Sequence, residues 1–318
     1  MHPMKSLVLG VAALALSSTA ALAQELTVYT AGPANLIDDL AAGFKAKTGM
    51  DVGVFQATTG KVMARLEAEA ASPVADVVIS ASMNTATKFS KKGLLMPYDS
   101  ANAATVPDFL KGKDWVVQGI SALAIAWNPK SGTPRPEDWM DLTKPAYMDQ
   151  VTMPDPASSG SAFELVSALT AQESLGWPLF EKLAANKIIV PGANAQALNP
   201  VLQGAKGVVF GAVDYISFNK KAAGESLEVI FPKSGTVIAP RPMMILASTQ
   251  HADAAKAFID YVLSDEGQAM VAKTNLMPSR SDVSADRPLI ADLKILDDRS
   301  SEDRKDLLAR FAEITGTK

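Results

Sequence analysis

Side chains suited to common enzyme chemistry are scarce in this chain. It contains no cysteine and two histidines, His2 and His251. Zinc sites built from Cys and His are thereby excluded, and so are Cys–His nucleophiles. A Ser-His-Asp triad would have to use His251, which stands in Thr249-Gln250-His251-Ala252-Asp253, a predicted helix start. Gly60-Lys61 lacks the upstream glycine of a phosphate-binding P-loop and has Val62 where Ser or Thr belongs. Gly160-Ser161-Ala162 does not continue into a nucleophile elbow. Asp38, Asp39 and the Asp297-Asp298 pair fall in helical or turn contexts and read as solvated surface, and Lys61 as an exposed helix lysine. No catalytic residue, metal site or cofactor is expected.

Hydroxyls and glycines grouped in short loops remain. Five such loops stand out: Thr30-Ala31-Gly32, Thr58-Thr59-Gly60, Ser80-Ala81-Ser82, Ser158-Ser159-Gly160-Ser161 and Gly211 through Asp214-Tyr215. Ser and Thr are favoured helix caps, which accounts for any one of these loops alone. A helix start also leaves up to four N–H groups unpaired and carries about half a positive charge, so it holds an anion without a formal base. Five loops together predict a cleft for a small anionic solute. Arg241, in Pro240-Arg241-Pro242, is a candidate for pairing with its charge.

The elements that must position these loops follow an α/β rhythm. Leu26–Thr30, Asp51–Gln56 and Asp76–Ser80 are predicted strands. Helices are predicted over about 34–47, from Thr58-Thr59-Gly60 onward, and over about 83–92. This β-α-β-α-β-α opening is the pattern of an open sheet, whose ligands bind beyond the carboxyl ends of the strands. Ile120–Trp127 is a long apolar strand, and Trp139 a packing anchor. The alternation restarts with Val151–Met153 and a helix from about Ser161. It continues through a helix near 179–185, Ile188-Ile189-Val190, a helix near 195–203, Val208–Phe210 and a helix over about 213–223. Leu227–Phe231 and Val237–Ala247 are further strands; helices over 252–263, 265–273 and 301–314 close the chain.

The chain has 318 residues, is 48% hydrophobic and balances 30 basic against 34 acidic residues. This is an ordinary globular composition of about two domains, with no broad basic face for nucleic acid. The first 23 residues read as a secretory signal: Lys5, the apolar run Leu7–Leu16, then Ala21-Leu22-Ala23 as the cleavage site. A periplasmic location with cleavage after Ala23 is expected, with no membrane span, since no later segment reaches about 18 uninterrupted apolar residues. The two α/β units meet near Val116–Ser121 and again near Val237–Pro242. Lobe 1 is therefore predicted at 24–118 plus 238–280 and lobe 2 at 119–237 plus 281–318. Two crossings between them predict a hinge.

Several segments carry a family resemblance: Leu26-Thr27-Val28-Tyr29-Thr30, Ala75-Asp76-Val77-Val78-Ile79, Trp139 with Asp141-Leu142, Met153 through Gly160, and the helix over Ala255–Gly267. With the signal segment, they resemble the extracellular solute-binding proteins of ABC importers, in the subgroup that holds ferric-ion, thiamine, 2-aminoethylphosphonate and sugar-phosphate binders. The similarity covers nearly the whole chain after residue 23. It implies the type II periplasmic-binding-protein fold: α/β, with two lobes, each an open mostly parallel sheet flanked by helices, joined by a hinge. It also implies a monomeric clamp rather than an enzyme, docking transiently on an inner-membrane permease.

Ferric binders of that subgroup coordinate iron through adjacent tyrosines at the second-lobe helix start. The matching stretch here, Asp214-Tyr215-Ile216-Ser217, holds one, and none of Tyr29, Tyr98, Tyr147, Tyr215 and Tyr261 are adjacent. Thr58-Thr59-Gly60 and Ser158–Ser161 resemble the anion-cradling loops of phosphonate and phosphate-ester binders. The acidic residue that aminoethylphosphonate binders place just before the first loop is replaced by Gln56-Ala57. A phosphonate or phosphate ester is thus the expected solute. A ferric ion or chelate is the alternative, and a periplasmic phosphohydrolase the reading from another class. Thr58, Thr59, Ser158, Ser159 and Ser161, with the N–H groups of Gly60 and Gly160, are expected to hold the anion. Asp214 and Tyr215 are expected to meet the rest of the solute, with Thr30, Ala31, Ser80, Ser82 and Arg241 completing the cleft.

Overall fold

The computed structural model describes residues 26–297, 299–300 and 302–317. The signal segment, Asp298 and Ser301 lie outside the described residues. The first half opens with β1 (Leu26–Thr30), α1 (Ala34–Thr48), β2 (Val52–Gln56), α2 (Thr59–Ala68), β3 (Val77–Ile79) and α3 (Met83–Lys91). Helix α1 buries Leu36, Ile37, Leu40 and Phe44 along one face and ends at Gly49, whose φ of 77° suits glycine. There follow β4 (Val116–Trp127), β5 (Val151–Thr152), α4 (Gly160–Ala171), α5 (Gly176–Ala185), α6 (Asn194–Leu202), β6 (Val208–Val213), α7 (Asp214–Ala222) and β7 (Glu228–Ile230). The chain then returns through β8 (Val237–Ile245), α8 (Ala252–Val262), α9 (Asp265–Lys273) and β9 (Met277–Pro278), and ends in α10 (Arg304–Thr315).

The strands run in the order β2-β1-β3-β8-β4-β6-β5. Pairing is parallel between β1 and β2, β1 and β3, and β5 and β6. It is antiparallel wherever β4 or β8 takes part. Strand β8 gives Met243–Ile245 to β3 and Val237–Met243 to β4. Strand β4 pairs with β8 and β9 early in its course and with β6 and β7 later. These two long strands are therefore shared by both halves, and every residue of both is buried.

Two local features differ from the sequence reading. Of Ile188-Ile189-Val190, only Ile189 bridges to Thr152; Pro191 follows at once and has no N–H with which to extend a ladder. Strand β4 begins at Val116 rather than Ile120, because Gln118 and Gly119 stay in the sheet across a register shift. Trp139 is fully buried, its indole N–H donates to the Gly235 carbonyl at 2.9 Å, and its ring lies 4.8 Å from that of Phe210. Among the described residues no helix is long and apolar enough to cross a membrane.

Candidate ligand-binding site

The loops at the carboxyl ends of β1 and β3 and at the starts of α2 and α4 converge where β4 and β8 pass between the halves. Arg241, in the middle of β8, is 1% exposed. Its Nη1 donates to the Ala31 carbonyl at 2.8 Å, and its guanidinium carbon lies 5.4 Å from the centroid of the Tyr215 ring. No ion pair among the described residues includes it, and its Nε–H has no partner. A buried guanidinium without a carboxylate is costly, so this cation awaits a counter-charge. Tyr215 is itself buried, which raises its pKa despite the opposing pull of Arg241 and keeps the phenol neutral.

Three further buried side-chain polar atoms among the described residues have no partner: Thr59 Oγ1, Asp114 Oδ1 and Gln118 Oε1. Gln118 lies on β4 in the stretch that faces Arg241 across the register shift between Val117 and Ile120. A Cβ placed on Gly32 would lie 3.9 Å from Gln118 Oε1 and 3.1 Å from Thr30 Oγ1, which accepts the Gly32 N–H. Gln118 and Arg241 thus both reach the Ala31–Gly32 turn. Each such orphaned group costs about 1–3 kcal/mol.

The two halves touch directly. The Gly60 N–H donates to the Ser158 carbonyl at 3.2 Å. A Cβ on Gly60 would stand 2.8 Å from the Ala157 carbonyl oxygen; one on Gly160 would stand 2.7 Å from Thr59 Oγ1 and 2.9 Å from the Ala81 carbonyl oxygen. Only glycine lets the α2 and α4 starts come this close. Glu164, 5% exposed on α4, makes a second bridge: its Oε1 accepts from Ser82 Oγ at 2.5 Å and from the Asn84 N–H at 3.4 Å. It thereby caps α3 in place of a local side chain.

Several predicted site groups are engaged within the protein. The Gly60 N–H and Ser82 are taken as above. Ser80 Oγ donates to Thr85 Oγ1 at 2.9 Å, and Ser158 Oγ to Asp155 at 2.6 Å. Thr58 Oγ1 caps the Lys61 N–H at 3.4 Å, and Ser159 Oγ caps that of Ala162 at 3.2 Å. Ser159 also bonds Ser161 Oγ at 3.0 Å and Asn194 Oδ1 at 2.9 Å. The largest departure is Asp214. Its carboxylate is engaged within the protein, accepting the Ala122 and Tyr215 N–H groups at 2.7 Å each and pairing with Arg287 at 2.5 Å. Burial raises its pKa, while Arg287 and the two N–H groups favour the charged form.

Sequence reasoning missed Gln118, Glu164 and Arg287. The first two carried a signal: each is a long polar side chain in an otherwise apolar segment. Arg287, in a turn-rich stretch, carried none. A groove of about 630 Å³ runs between α2 and α3; Thr59 lines it together with Met63, Leu66, Phe89 and Leu94.

A sequence profile described as bacterial extracellular solute-binding protein matches residues 72–297. The chain belongs to that family. This solute-binding protein is 28% identical over 283 residues to a probable ABC transporter periplasmic-binding protein of Sinorhizobium fredii, covering 84% of this chain and 78% of the relative. Its fold superposes on the periplasmic binding protein AfuA from Actinobacillus pleuropneumoniae, solved with fructose-6-phosphate, with a TM-score of 0.83, 24% identity, and coverage of 93% and 100%. Iron-bound HitA from Pseudomonas aeruginosa gives a TM-score of 0.76 at 23% identity, with coverage of 92% and 98%. These likenesses establish the type II periplasmic-binding-protein fold of this solute-binding protein.

Proposed function

We propose that this protein is the solute-capturing component of an ABC importer, exported to the periplasm after cleavage behind Ala23, and that its solute is a phosphate ester or phosphonate. The observation that carries the anion is Arg241, a fully buried guanidinium with no carboxylate partner and an unused Nε–H. Thr59 Oγ1 offers a second unused group from the α2 start. The fructose-6-phosphate bound to AfuA is consistent with such chemistry.

A ferric ion, as in HitA, fits this site less well. Hard Fe(III) needs several anionic oxygens. Here Tyr215 is the one tyrosine beside Arg241, and burial opposes its ionisation. The remaining tyrosines bond elsewhere, Tyr29 to Glu69, Tyr98 to Asp260, Tyr147 to Pro134 and Tyr261 to Glu266. Asp214 is held by Arg287.

Capture follows from closure. We take the lobes as 24–118 plus 238–280 and 119–237 plus 281–318, acting as a monomer that presents its closed form to an inner-membrane permease. A solute shifts a two-state hinge only by its extra contacts in the closed state. We assign that difference to contacts from the α4 start in lobe 2, Ser159 and Ser161, added to those of Arg241 and Thr59 in lobe 1. A thermal-shift screen of phosphonates, sugar phosphates, ferric citrate and thiamine, followed by calorimetry, tests the assignment. Stabilisation by phosphoryl compounds and its loss in Arg241→Ala is the expected result. Stabilisation by ferric citrate alone would reassign the solute, and steady phosphate release from esters would make the protein a phosphohydrolase.

A further inference from the structure

The side-chain amide of Gln118 makes no hydrogen bond among the described residues, although the residue is 2% exposed. Its carbonyl oxygen is an acceptor without a donor. Arg241, whose Nη1 reaches the same Ala31–Gly32 turn, has in its Nε–H a donor without an acceptor. The two do not bond each other. With the amide placed as it is, one solute group satisfies both by accepting on one side and donating on the other. A hydroxyl oxygen does this, whether the hydroxyl belongs to a protonated phosphoryl group or to an alcohol next to it. An ammonium would donate to Gln118 but face the guanidinium as a like charge. A fully deprotonated oxyanion would accept from Arg241 but turn lone pairs toward the Gln118 oxygen.

We propose that Gln118 selects the solute: its side-chain carbonyl accepts a hydrogen bond from an O–H carried by the group that Arg241 grips. The site then favours phosphoryl or hydroxyl-bearing anions and rejects sulfonates, which carry neither group at neutral pH. This inference rests on the anion reading of the cleft and names the part of the anion that is read. A neutral acceptor suits the task. It demands a proton without adding a charge that would repel the solute, and an analogue lacking the proton leaves a buried group unpaired.

The test is calorimetric titration of the parent, Gln118→Met and Gln118→Glu with four probes: methylphosphonate, methanesulfonate, fructose 6-phosphate and fructose 6-sulfate. Methionine keeps the length of the side chain without its acceptor, and glutamate restores an acceptor if methionine packs poorly. In the parent, methylphosphonate and fructose 6-phosphate should bind at least about tenfold tighter than their sulfur counterparts, a preference that Gln118→Met abolishes and Gln118→Glu keeps. That outcome assigns the O–H to the phosphoryl group. If the two fructose esters bind equally, both weaken about tenfold in Gln118→Met and Gln118→Glu restores them, the O–H is the sugar's and the role of Gln118 stands. If Gln118→Glu weakens them as well, the amide donates instead of accepting and the proposal is overturned. Unchanged affinities and selectivity in Gln118→Met overturn the proposal while leaving the anion site intact. No binding of any probe to the parent overturns both.

Discussion

Arg287 Nη2 lies 2.5 Å from Asp214 Oδ2, with both side chains closed off from solvent. The pair is a buried structural staple. Arg287 also donates to the Asn275 carbonyl at 2.5 Å just beyond α9, and Asp214 holds the Ala122 N–H of β4. Removing either charge strands the other inside the protein. Arg287→Ala should therefore lower unfolding stability by about 3–5 kcal/mol, measured by denaturant titration. Breaking the exposed Lys45–Asp51 pair should leave the midpoint essentially unchanged.

The hydroxyls of the cleft divide into free and committed groups, and the division can be tested. Thr59→Val should weaken solute binding by about tenfold or more, since a hydrogen bond to a charged partner contributes about 1.5–3 kcal/mol. Ser158→Ala should change affinity little, because its hydroxyl already serves Asp155. Isothermal calorimetry with a bound phosphoryl compound makes the comparison. Equal losses in the two variants would contradict the division.

Contact between the halves depends on bare backbone at two positions. A methyl group on Gly160 would collide with Thr59 Oγ1 and the Ala81 carbonyl, and one on Gly60 with the Ala157 carbonyl. Gly160→Ala should hold the α2 and α4 starts apart. In small-angle scattering with saturating solute, the variant should keep a larger radius of gyration than the parent and bind at least tenfold more weakly.

Alkaline stability has a defined window. Burial, aided by the charge of Asp141, pushes the Tyr147 phenol up to about 12. The folded state thus favours the neutral phenol. Its contribution is complete below the ordinary value of about 10 and is lost as the pH rises through about 12. Ultraviolet titration should show late ionisation of this tyrosine, and Tyr147→Phe should make the loss of stability across that window shallower.

Much of this architecture is written locally. Leu36, Leu40 and Phe44 declare one face of α1, and the unbroken Val77-Val78-Ile79 declares a buried parallel strand. The hydroxyl loops likewise announce helix starts, and Arg241 stands out by its place on a crossing strand. Which of those hydroxyls remain free is not local. Ser82 is claimed by Glu164, 82 residues further on, and Asp214 by Arg287, 73 residues further on. Gln118 is visible in the sequence as a polar residue in an apolar run, and the complete burial of that strand gives it weight. Capping and charge pairing across long separations decide what a loop has left to offer a solute, and periodicity does not report them.

The sharing of β8 between the halves also dictates an order of assembly. Val77 of β3 finds its partner in Ile245, after the whole of the other half has been traversed. A chain emerging N-terminus first therefore carries β1, β2 and β3 with an open edge until residues 243–245 arrive. Neither half can finish alone, and such late, distant pairing makes folding slow. A product truncated before Met243 would retain that unpaired edge as a template for pairing with other chains. A strand that joins the two halves thus also closes the edge that the first three strands leave open.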